Sequence, residues 1–104
     1  MTDDNLSDEE LDEILRKMAD SFIDRANELA DSNSPENVSM ALLYAASRYN
    51  AHVVSQHAED EAAYEKDIPR ARDFFSEQYR RMLDENLEDY KRVFGKYANL
   101  MRRQ

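Results

Sequence analysis

One glycine and two prolines in 104 residues leave this chain almost nothing to build tight turns with. Hairpin corners draw on Gly, Asn-Gly or Asp-Gly, so an antiparallel sheet of several strands is out of reach. Long elements with few connections remain. The residues that fill the chain are Ala, Leu, Glu, Arg and Met in quantity, with 36% charged, and these favour helix. The fold class expected is all-α, in a single domain over residues 1–104.

The apolar spacing locates three helices. Ser7 with Glu10 three residues on forms a capping box, and Asp8 and Glu9 suit the positive helix end. Leu11, Leu15, Met18, Phe22, Ala26 and Leu29 then recur at intervals of three and four, which is one helical face. Glu13, Lys17, Asp20, Asp24, Glu28 and Asp31 line the opposite face as an acidic stripe. A polar turn, Asp31 to Ser34, follows. Ser34 as N-cap and Pro35 at the first helical position open a second helix. It is apolar nearly all round, from Val38 and Leu42 through Tyr44 to Val53 and Val54, as a helix covered on more than one side would be.

Residues 55–67 lose the period and read as a frayed helix end or an acidic loop. Asp67-Ile68-Pro69 reads as the start of a third helix, with Phe75, Tyr79, Met82, Asn86, Tyr90 and Val93 on its face and Gly95 as its stop. Helices at 8–31, 35–57 and 69–94 are rods of similar length, about 35–39 Å each. Joined by short connections, they predict a three-helix up-down-up bundle with a basic C-terminal tail. Residues 1–6 and 96–104 are expected to be flexible termini.

Three segments, Met18 to Asn27, Ala41 to Ala51 and Phe74 to Leu83, resemble an uncharacterised bacterial family, domain of unknown function 3144. The similarity covers roughly residues 18–94. It implies a small helical bacterial protein and brings no known activity, ligand or catalytic residue.

Charge and composition exclude several functions. The chain has no Cys, hence no disulfide and no thiolate zinc site. The acidic start is unlike a signal peptide, and the longest apolar run, Met40 to Ala46, is far short of a membrane span of about twenty residues. A cytoplasmic protein is expected. The net charge of −9 sits mostly in residues 1–34, with 11 acids against 3 bases. Such a surface disfavours nucleic acid and anionic membrane and favours basic proteins. The stretch from Tyr90 to Tyr97 interleaves bases with aromatics, but its aromatics fall on the core face and the overall charge opposes nucleic acid.

No nucleophile, phosphate cradle or catalytic constellation is legible, and no enzyme is expected. No cofactor or metal is expected either. Neither His52 nor His57 has a Glu three residues before it, as a di-iron bundle requires, and His57 with Glu61 is a lone pair of ligand types.

Polar residues among apolar ones are the remaining candidates. Arg48, Asn50 and His52 lie on the apolar second helix, Asn86 interrupts the third helix's apolar face, and Asp89 stands within reach of an Arg48 side chain in an antiparallel register. Buried polar groups need partners, so an internal network is the first reading, with a ligand or partner site behind it.

The tail carries a further pattern. Tyr97, Leu100 and Met101 stand at i, i+3 and i+4, and residues 91–104 hold five bases and no acid, whereas residues 3–13 hold seven acids and no base. An antiparallel homodimer would join each basic tail to its partner's acidic head. The function expected is a non-enzymatic helical protein-interaction module, with a weak homodimer as one form of it. The alternatives are a small-ligand or metal binder using the central helix's polar residues and, more weakly, an acidic decoy for basic proteins.

Overall fold

The computed structural model describes the backbone of residues 5–102 and the side chains of residues 5–96. Three helices follow one another: α1, Asp8–Ala30; α2, Pro35–His57; and α3, Glu61–Arg102. No strand occurs among the described residues. The fold is all-α, and its connectivity is that of a three-helix bundle. The chain divides into two compact units, Met1–Ala51 and His52–Gln104.

Local chemistry sets the helix boundaries. The Ser7 backbone N–H donates to Glu10 Oε1 at 3.0 Å, and the Glu10 N–H donates to Ser7 Oγ at 3.1 Å. This capping box satisfies two donors the helix leaves orphaned. At the other end of α1, Asn33 Nδ2 donates to the Leu29 carbonyl at 2.9 Å. Ser34 then caps α2, accepting from the Asn37 N–H at 3.1 Å, with Pro35 at the first helical position. Both helices start where the sequence predicts, at Asp8 and Pro35.

The third helix differs. It is 42 residues long where α1 and α2 have 23 each. It opens at Glu61 because Asp60 is its N-cap: Asp60 Oδ1 accepts from the Ala63 N–H at 2.8 Å. The expected frayed stretch 55–67 is therefore the end of α2, a break at 58–60 and the first two turns of α3. Pro69 lies inside the helix, not at its start. It supplies no N–H for the Glu65 carbonyl, and an interior proline costs about 3 kcal/mol. The capped start and the apolar stripe through it outweigh that cost.

Gly95 is likewise interior. No described residue has a positive φ, so Gly95 does not adopt the left-handed conformation of a helix stop. The helix passes through it to Arg102.

Within the second unit, the turns next to the 58–60 break are the best covered. Val53, Val54 and Ala58 on one side and Tyr64, Ile68, Ala71, Phe75 and Gln78 on the other are half-buried. The α3 residues recur every three or four positions, one stripe facing inward. Phe74 and Phe75 meet edge to face with ring centroids 5.2 Å apart. From Tyr79 to Lys96, every residue of α3 is exposed.

Candidate interaction surface

None of the described residues is buried, and twenty large apolar side chains are exposed. On α1 they are Leu11, Leu15, Met18, Phe22 and Leu29, the face read from the sequence, widened by Ile14 and Ile23. Phe22 stands 65% exposed at its centre. On the second half of α3, Leu83, Leu87, Tyr90, Val93 and Phe94 are exposed, Phe94 at 78%. Soluble monomers seldom leave contiguous apolar patches of more than a few hundred Å² open to water. Single exposed leucines are ordinary, but these recur on one side of a helix over several turns.

The polar rims are built from local pairs. Lys17 Nζ lies 3.6 Å from Glu13, and Arg25 donates to Glu28 at 3.1 Å. On α3, both Glu77 carboxylate oxygens accept from Arg80 Nη2, at 3.0 and 2.8 Å, and Asp89 accepts from Arg92 at 2.7 Å. The Glu77 carboxylate raises the Arg80 pKa above its already high ordinary value. Each pair is three or four residues apart and exposed, which is worth about 0.3–0.5 kcal/mol. They keep the flanks wet and hold the helices; they do not close the apolar faces.

The polar candidates are distributed between the units. Arg48 is exposed and Asn50 half-buried in the first; His52, Asn86 and Asp89, all exposed, belong to the second. Asn86 Nδ2 donates to the Met82 carbonyl at 2.9 Å, and Asp89 holds Arg92. Both are thus engaged along their own helix. The His52 carbonyl accepts from Ser55 Oγ at 2.6 Å. His57 ends α2 and Glu61 begins α3, so the two do not share a helix. No group of three or more possible metal ligands occurs among the described residues. The side chains of Tyr97, Leu100 and Met101 lie outside the described residues.

The sequence reading missed Asp60. The signal was present: an Asp followed by Glu61-Ala62-Ala63, with Tyr64 and Ile68 four apart beyond it. Pro69 masks it, since proline marks first turns more often than interiors.

No helix among the described residues is long and apolar enough to cross a membrane. Among curated proteins and solved structures, none matches the chain. A family model matches residues 15–91, from Leu15 near the start of the α1 face to Lys91 in the second half of α3. The acidic start of α1 and the bases from Arg92 onward lie beyond that match. The chain belongs to the family described as a protein of unknown function, DUF3144.

Proposed function

We propose that the chain is a non-enzymatic helical module that works by binding protein, with a second copy of itself among its partners. The observation that supports this reading is the row of exposed apolar side chains on α1 and on the second half of α3. Covering such faces is favourable at roughly 25 cal/mol per Å² of apolar surface removed from water. The charged flanks would form the polar rim that surrounds the apolar centre of a protein interface. A cytoplasmic setting fits an acidic chain without cysteine.

A photoreactive residue in place of Phe22 tests the reading inside cells. The module predicts a discrete adduct of defined mass that disappears when Leu15 and Met18 are changed to Asp. No adduct at position 22, and none from the same probe at Tyr90, would reject it. The small-ligand and acidic-decoy readings keep Arg48, Asn50 and the α1 stripe as their candidates.

A further inference from the structure

The second half of α3 carries its charge in two blocks. Residues 84–89 contain Asp84, Glu85, Glu88 and Asp89 and no base; residues 91–102 contain Lys91, Arg92, Lys96 and Arg102 and no acid. Four negative charges are followed, on one unbroken helix, by four positive ones. The apolar face formed by Leu87, Tyr90, Val93 and Phe94 runs across the junction, exposed throughout.

We infer that this stretch pairs antiparallel with the same stretch of a second copy, about a two-fold axis close to Arg92 and Val93. The inference rests on the interaction-module reading and names its partner. The sign of the charges decides the direction. A parallel pair would set acid block against acid block, whereas an antiparallel pair sets each acid block against its partner's basic block.

Register follows from the flanks. In a two-fold antiparallel pair, each flank of the helix meets the same flank of its copy. At about 100° per residue, Asp89 and Lys96 fall on one border of the apolar face. Pairing Asp89 with the partner's Lys96 sets the alignment, with the axis between Arg92 and Val93. That alignment brings Val93 to the axis. The contact is isologous and closes as a dimer. Since the family match stops at Lys91, three of the eight charges, Arg92, Lys96 and Arg102, belong to this chain beyond the matched stretch.

The cysteine-free chain makes the test direct. Single variants Val93→Cys and Leu87→Cys are oxidised in the full chain at low salt. A disulfide needs Cα atoms within about 7 Å. Val93→Cys should cross-link to its copy. Leu87→Cys should not, because its equivalent would lie about 17 Å along the helix axis.

Sedimentation then reads the charges. Lys96→Asp should weaken the dimer roughly tenfold, by exchanging two attractions for two repulsions, and adding Asp89→Lys should restore it. Cross-linking at both positions would mean a parallel pair and overturn the proposal. So would a dimer indifferent to Lys96→Asp but weakened by neutralising Asp8, Glu9 and Glu10, which would point to contact with the acidic head. A full chain that stays monomeric at high concentration and low salt also overturns it. In that last case an adduct at position 22 still supports a module with another protein as partner, and its absence ends both readings.

Discussion

The two halves of α3 share one backbone and differ in almost everything else. The first half carries a proline in its interior and stays helical; the second has no proline and leaves every described side chain from Tyr79 on exposed. Tyr64, Ile68, Ala71 and Phe75 are half-buried and stabilise the first half through burial. The second half rests on intrinsic propensity and on local pairs such as Asp89–Arg92, each worth a few tenths of a kcal/mol. A helix tolerates a breaker where its face is covered, and where it is uncovered it needs good helix formers and a partner.

Replacing Pro69 by Ala tests the first half most severely. If Pro69 is interior, Pro69→Ala restores the missing hydrogen bond and should stabilise the fold by up to about 3 kcal/mol in urea unfolding. Little change would place the helix start at Pro69 after all. Burial is probed next: Phe75→Ala should cost about 2 kcal/mol, somewhat below the range for a fully buried Phe, and Leu87→Ala well under 1 kcal/mol at concentrations where the chain is monomeric. Equal losses would erase the contrast between the halves.

Gly95→Ala probes the second half with a smaller effect and an informative sign. An interior glycine replaced by Ala gains about 0.5–1 kcal/mol, whereas a left-handed stop would lose stability. A Cβ at that position meets nothing within 4 Å, so no clash opposes the gain. Exposed Arg48 offers a control: Arg48→Ala should change stability by less than about 0.5 kcal/mol.

The smallest effect belongs to Glu10. Its carboxylate accepts the Ser7 N–H, and the bonds to Ser7 hold its pKa below the ordinary glutamate value. A lowered folded-state pKa means the stabilisation is present above the unfolded pKa and is lost as pH falls through the folded one. Amide and carbon chemical shifts at Asp8 to Leu11 should therefore lose helical character in acid, before those of α2. Glu10→Gln should blunt the change, because its amide oxygen can still accept the Ser7 N–H.

The sequence made the helix count and two of three starts legible, because Ser7-Glu10 and Ser34-Pro35 act within one turn and need no tertiary partner. The third start and the third end were misread for one physical reason. Proline and glycine were weighed as local punctuation, while the residues that override them, Asp60 as cap and Ile68 and Phe75 as half-buried anchors, act together over several turns. The polar candidates show the same limit. Arg48 looked enclosed because its neighbours in sequence are apolar, yet an apolar neighbour encloses a residue only when something packs upon it.

The boundary between the two compact units falls inside α2, between Ala51 and His52, with no break in the helix there. Most modular proteins can be cut at an extended linker, where a protease or a cloning site separates two pieces that each keep their fold. No such linker lies at this boundary. Any division at the boundary severs a helix, orphans its backbone donors and acceptors on both sides, and leaves the second unit with only the last six residues of that helix, His52–His57. Insertions and fusions will therefore be tolerated at 31–34 and 58–60, the two breaks between helices, and not at the seam that a map of the units would suggest.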